Sequence, residues 1–422
     1  MKYVSYIIDP DGDVELLLKQ PNSQQLVPYV PSDKYDEESE DPMNEPNVAR
    51  GALDARYHVL DDLLAPAEDE EDPSPLGTKV CRWISNTLVS TVETRSASKA
   101  RTPLEREVRM RVSSRHLILA SPVFRAMLEG PWLEASSTSS FFGTPLRQVT
   151  ASSWDSVALA IVLDIVHGRH GVVPRIVDLK LMTHIATIVD FYACHEVVKI
   201  FSETWYKNIC TEFEDEYSRQ ALMWLSVSWV FPNQELLDRV AQTILKHMDS
   251  PQLNTYHLPI HAVLPKIDDK RQELIGTIVS ELQDLCNTLP NSDFLCDWHN
   301  YDAPTCHSIA LGILERELER LRSIGRPLES PFNGYTVMSM IQLVNDIPES
   351  IAATTPEYDH YHDVSIDSFQ TTLLPHSTFD EEPFGFDENG NPDLYTVQGR
   401  LKIILREISE RILGVYMVDS HA

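Results

Sequence analysis

The chain of 422 residues has no apolar run approaching the roughly 18 residues that a membrane-spanning helix needs. Its opening segment, MKYVSYIIDPDGD, carries neither the apolar core nor the small-residue cleavage site of a secretory leader. Cysteine is scarce: six residues, widely scattered, cannot build the disulfide framework of a secreted domain. The N-x-[ST] acceptor pattern is missing altogether. Together these absences predict an intracellular chain with reduced thiols, in the cytoplasm, the nucleus or both, with no membrane partner. Basic residues are also unevenly missing. Residues 349–393 hold 11 acidic side chains and no Lys or Arg, and residues 33–72 hold 15 acidic against 3 basic. The net charge of -29 argues against nucleic acid as a partner, because phosphate binding depends on Lys and Arg releasing counterions. Such like-charged, Pro-containing stretches bury too little apolar surface to offset their ordering entropy, so both are expected to be mobile.

Enzyme signatures are missing as well. There is no G-x-G-x-x-G, no G-K-[ST] loop and no G-x-S-x-G elbow. His195-Glu196-Val197-Val198-Lys199 begins like a zinc-protease helix, but Lys199 stands where the second His must be. Asp9-Pro10-Asp11-Gly12-Asp13 imitates a calcium loop, yet its twelfth place is Gln20, which lacks the bidentate carboxylate. Asp387-Glu388-Asn389-Gly390-Asn391 fails in the same way, and both segments read as turns. Cys286, Cys296, His299, Cys306 and His307 offer enough ligand atoms for zinc, but their spacing matches no compact zinc signature. Buried thiols and ordinary histidines are the reading preferred over a structural metal, and no cofactor is expected. Trp205, Trp224, Trp229 and Trp298 read as core residues rather than a ligand cage.

What is present is a globular composition, 42% hydrophobic and 23% charged, enough for a sizeable core. Residues 3–19 read as strand, tight turn, strand: YVSYII and VELLLK are rich in strand formers, and DPDGD between them is turn chemistry. Residues 79–116 carry nine Lys or Arg against three Glu, a basic stretch suited to docking an acidic segment of the same chain. Within it, REVRMRVS alternates like a strand. From residue 116 the pattern turns helical. Pro122 suits a first helical turn and Gly130 a C-cap. LRQVT reads as a strand, and TASSWDSVALAIVLDIVHG as a capped helix. DLKLMTHIATIVDFYA and HEVVKIFSETWYKNI predict two more helices, and others are expected at 217–230, 234–248, 269–286, 307–323, 335–345 and 396–417. The last places Leu401, Ile404, Leu405, Ile408, Ile412 and Val415 on one face.

The run VSSRHLILASPVFRAMLEG at 112–130 resembles the BTB/POZ domain, in the wording of the BTB proteins of filamentous fungi. DPDGDVELLL resembles the first strand of that domain, and TASSWDSVALAIVLDIVHGR its helix ending in hydrophobic-x-Gly. Residues 173–209 resemble its two closing helices. LMWLSVSWVFPNQELLDRVAQTIL, CHSIALGILERELERL and PFNGYTV resemble the C-terminal helical region of the same fungal group. The departure is the acidic insertion that separates the first strand from REVRMRVS.

The resemblance implies an α+β fold: a BTB/POZ module, a small sheet flanked by helices, followed by an all-helical C-terminal region. The expected divisions are first strands over 1–20, an acidic, partly disordered insertion with a basic lead-in over 21–105, and the BTB core over 106–210. A helical region over 211–348, an acidic linker over 349–393 and a C-terminal helix over 394–422 complete the chain. The family's role is non-enzymatic protein–protein interaction, as an adaptor or a scaffold. One form is a ubiquitin-ligase adaptor that holds a cullin. The other is a homo-oligomerising scaffold or transcriptional co-regulator without ligase contact, and a metal-dependent enzyme is the remote third class. The family places Asp13 and His116 near its dimer groove, where a buried Asp–His pair is expected either to cap and satisfy the core or to line a partner pocket. Phe124, with Met127 and Leu128 at helical spacing, is expected in the core or on the dimer face. Trp132-Leu133-Glu134 stands where cullin-binding members carry a hydrophobic-x-Glu motif, the Trp an anchor and the Glu a charge partner. A homodimer with protein partners is expected.

Overall fold

The structure, a computed structural model, describes residues 2–26, 53, 55–61, 106–131, 137–138, 140–209, 215–250, 255, 257–291, 303–323, 326–347 and 397–414. Most of the acidic insertion after β2, the basic lead-in before residue 106 and the acidic linker over 349–393 therefore lie outside the described residues. The fold is mixed α and β, mostly helical with one small sheet. By its contacts the chain divides into two units, Met1–Leu26 with Ser39–Thr211, and Val27–Glu38 with Glu212–Ala422. No helix among the described residues is long and apolar enough to cross a membrane.

The first unit is built on strands β1 (Lys2–Ile7), β2 (Val14–Lys19), β3 (Arg106–Val112), β4 (Ser137–Thr138) and β5 (Leu146–Ser152), in the order β1-β3-β2-β5-β4. The strands joined by the Asp9–Asp13 turn are therefore not neighbours. β3 lies between them, parallel to β1 and antiparallel to β2. The turn is made as its residues suggest: the Asp11 amide donates to the Asp9 carboxylate at 2.9 Å, and the Gly12 amide donates to the Asp9 carbonyl at 3.0 Å. Gly12 is required there, since a Cβ would sit 2.5 Å from the Val112 carbonyl oxygen. The turn thus passes over the end of β3, and the Ile8 and Asp9 amides both donate to the Arg111 carbonyl at 3.1 Å. β2, central in the sheet, is buried from Val14 to Leu18 on both faces. At about 2 kcal/mol for each fully buried Leu, Leu16 and Leu18 anchor it. Its one charge within that span, Glu15, is only 1% exposed and is met by the Arg109 guanidinium at 2.9 Å.

Helices α1 (Ala55–Asp61), α2 (Ser114–Ala120), α3 (Pro122–Glu129), α4 (Ser156–Val166), α5 (Leu179–Tyr192) and α6 (His195–Ile209) complete this unit. Pro122 opens α3 as expected, but Gly130 ends it in extended backbone (φ -78°), so the freedom of glycine is not used there. Gly168, at φ +72°, is where the left-handed stop occurs, after α4. Asp155 and Asp178 cap α4 and α5, accepting from the Ala158 and Leu181 amides at 2.8 and 2.7 Å. α4 is buried along almost its whole length. α1 lies inside the segment expected to be an acidic, partly disordered insertion, and no helix was singled out there. Within the acidic stretch, Leu53, Tyr57 and Leu60 recur at i, i+4, i+7 and are all buried, so this short piece carries an apolar stripe of its own.

The second unit is helical: α7 (Arg219–Val230), α8 (Gln234–His247), α9 (Leu264–Thr288), α10 (Ala303–Ser323), α11 (Val337–Asn345) and α12 (Val397–Leu413). α9 starts earlier than expected, with Pro265 in its first turn, where a missing amide costs nothing. α12 buries Leu401, Leu405, Ile408 and Ile412, as its periodicity indicated, and Val415 lies outside the described residues. Trp205 in the first unit and Trp224 and Trp229 in the second are core residues, and Trp298 lies outside the described residues.

Candidate protein-interaction site

α2 and α3 carry the candidate residues, and their ends are fixed by hydrogen bonds from distant parts of the first unit. Asp13, just ahead of β2, accepts from the Ser114 amide at 2.8 Å and from its hydroxyl at 2.7 Å. It also pairs with Arg147 of β5. Partial burial pushes its pKa upward, but the Ser114 and Arg147 bonds outweigh that and hold the carboxyl below its ordinary range. Asp13 is therefore an external cap on α2. The expected buried Asp13–His116 pair does not form, because His116 lies on the exposed side of α2 and Asp13 is taken by Ser114.

His116 instead meets His167, with ring centroids 5.0 Å apart. His167, at the end of α4, donates from Nδ1 to the Leu163 carbonyl at 2.7 Å and accepts at Nε2 from the Ser113 amide at 2.9 Å. Those partners specify one neutral tautomer. Burial lowers the pKa further, in favour of that neutral form.

Phe124 is 2% exposed and stacks on Tyr192, centroids 4.2 Å apart. That removes it from any surface and leaves the core role. Ser121 joins the same pair of helices: its hydroxyl accepts from the Phe124 amide at 3.0 Å and donates to the Tyr192 carbonyl at 2.5 Å. Burial drives the Tyr192 hydroxyl up to about 12. Met127 is half-buried and Leu128 buried. Trp132, Leu133 and Glu134 lie outside the described residues.

The residue that the sequence reading missed is Leu119. It is 82% exposed on α2, on the side that also exposes Arg115 and His116, while Leu117 of the same helix is fully buried. A seven-residue helix with one exposed Leu has too little length for periodicity to single that residue out. This surface offers apolar contact from Leu119 and one exposed imidazole, His116, with its helix ends locked. It carries no nucleophile paired with a base.

Elsewhere, His195 and Glu196 open α6, and no group of three or more His, Cys, Asp or Glu that could hold a metal ion occurs among the described residues. Cys286 and His307 are described, whereas Cys296, His299 and the side chain of Cys306 are not, and neither is the turn expected at 387–391. Comparison of the chain with family models, with curated proteins and with solved structures found no match.

Proposed function

We propose that the chain is a non-enzymatic protein–protein interaction module, a BTB/POZ-type adaptor or scaffold that self-associates through α2. The observation that carries this reading is the outward face of α2, where Leu119 stands 82% exposed beside Arg115 and His116 on a helix held at its start by Asp13 and at its end by Ser121. A rigid, solvent-facing apolar side chain on a helix pinned at both ends is pre-organised for a partner. A two-fold axis lets one such patch satisfy another. Support for the BTB assignment comes from the element order. The strand pair split by the insertion, β2 and β3, is antiparallel, the α2–α3 pair follows, β5 returns beside β2, and α4, α5 and α6 close the unit. Apart from β5, those are the pieces on which the resemblance to the BTB/POZ module rests.

Light scattering on the full chain at micromolar concentration tests the reading. The expected result is a dimer that Leu119→Asp converts to monomer with an unchanged melting temperature; a wild type that is strictly monomeric contradicts it. A cullin pull-down then separates adaptor from scaffold. Trp132→Ala is expected to abolish capture, since an aromatic anchor is worth about 2 kcal/mol or more, and Glu134→Ala to weaken it. Failure of the wild type to bind at tens of micromolar leaves the scaffold or co-regulator role.

A further inference from the structure

The start of α2 rests on the last turn of α4, and one imidazole makes the joint. His167 is fixed to its own helix, because its amide donates to the Leu163 carbonyl at 3.0 Å and its Nδ1 donates to the same oxygen at 2.7 Å. Nε2 is left as an acceptor, and the amide of Ser113, the N-cap of α2, fills it at 2.9 Å. The Ser113 side chain makes no capping bond. The bridge to His167 and the Asp13 carboxylate on Ser114 therefore share the hold on this helix end. His116, in the first turn of α2, places its ring 5.0 Å from that of His167. Both hydrogen bonds of the His167 ring require its neutral form.

A proton on Nε2 turns the acceptor into a donor aimed at the Ser113 donor. The charge of the new cation is opposed by His116 on α2 and favoured by the Asp9 carboxylate in the turn before β2. Asp13 does not share in the change, since it is held below its ordinary range and stays ionised wherever a histidine titrates. The two helices then differ in how they can respond. α4 is buried along almost its whole length, whereas α2 has seven residues, too few to be stable without its contacts. The conflict is therefore relieved by movement of α2.

We propose that His167 is a proton sensor for the α2 surface: a charged ring releases the start of α2, and Leu119 loses the fixed position that a partner reads. The neutral ring seats the helix. The seated form is thus complete above the ring's ordinary value of 6.5 and is lost as pH falls below it. Regulation of this kind rests on the reading of α2 as the interaction surface, whereas the seating of α2 is measurable within a single copy.

The test follows the full chain from about pH 7.5 to about 5.5 as wild type, His167→Gln and His116→Gln. Glutamine keeps an acceptor for the Ser113 amide and cannot be protonated. The first reading is hydrogen-exchange protection of the Leu117 and Ser121 amides, which bond to the Ser113 and Leu117 carbonyls, corrected for the intrinsic effect of pH. Protection is expected to fall at least about tenfold in wild type and His116→Gln, the size of one buried hydrogen bond lost, and to stay level in His167→Gln. The second reading is the dimer dissociation constant from light scattering, expected to rise by a similar factor in wild type and to stay level in His167→Gln. Protection that is independent of pH, or that falls equally in His167→Gln, overturns the proposal. A dependence lost in His116→Gln and kept in His167→Gln overturns it in favour of His116. A wild type that is monomeric throughout, with protection that falls as expected, supports the sensor and contradicts self-association. Should His167→Gln fail to fold, NMR of the wild-type histidine rings takes its place. Protection must then fall in step with protonation of His167, and its loss while that ring is still neutral overturns the proposal.

Discussion

In the second unit Arg271 and Asp268 lie one turn apart on α9, 2.8 Å from each other; in the first unit Arg56 and Asp164 come from elements 108 residues apart and meet at 3.1 Å. The chemistry is the same, a guanidinium on a buried carboxylate, but the surroundings differ. The Arg271 side chain has no exposed surface and also donates to the Pro331, Phe332 and Tyr335 carbonyls at 2.7–2.9 Å, so it ties a loop to its own helix. Arg56 remains 19% exposed on a helix of seven residues. A buried pair whose arginine belongs to the core is a permanent staple. The other pair's arginine arrives on a short helix from an acidic insertion, and Arg169 also stands 3.5 Å from Asp164, so its loss should cost less.

The comparison can be broken in order of expected effect. Arg271→Ala should cost about 3–5 kcal/mol, since it strands Asp268 and three carbonyl groups in the core. Chemical denaturation followed by tryptophan fluorescence is the check, with Trp224 and Trp229 reporting on that unit. Arg56→Ala should cost about 1–3 kcal/mol and make residues 53–61 susceptible to protease, while the melting of the rest of the first unit stays cooperative. A loss as large as that of Arg271→Ala would erase the distinction between the pairs.

Asp13→Ala should cost about 1 kcal/mol, because it removes a cap that is itself half exposed. The smallest effect is a pH slope. His167 is held neutral in the folded unit, below its ordinary value of 6.5. The unfolded chain therefore binds the extra proton, so stability is complete above that value and falls as pH drops below it. His247 shifts in the same direction through burial and Lys246, so His167→Asn should remove part of the slope between about pH 7 and 5.5 rather than all of it. Thermal melts across that range measure it.

Much of the architecture was legible because it is local. The face of α12, the cap of α4 and the helices of the second unit follow from periodicity and capping chemistry within a dozen residues. The mixed fold was legible from REVRMRVS and the strand-forming N-terminus. What was hidden is long-range. Nothing local tells that β3 inserts between β1 and β2, because that pairing joins segments on opposite sides of the insertion. α1 was hidden for a different reason: its three apolar anchors are diluted by the acidic residues around them, so composition outweighed spacing. At the candidate site, Asp13 and His116 were singled out as polar positions near α2, but the choice of partners was decided by Ser114 and His167, which compete for them in space. Phe124 looked the same on paper whether core or surface, and only Tyr192 stacked against it decides.

Hydrogen exchange on the intact chain, read segment by segment, tests the central contrast most directly. The amides of Tyr57–Asp61 should exchange through local opening, far ahead of those of β2 and β3 in the same unit. The turn of α9 that holds Asp268 and Arg271 should stay protected to the level of β2. Exchange of Tyr57–Asp61 only at the rate of β2 and β3 would contradict the account, because α1 would then be as fixed a part of its core as the Arg271 staple is of the second unit.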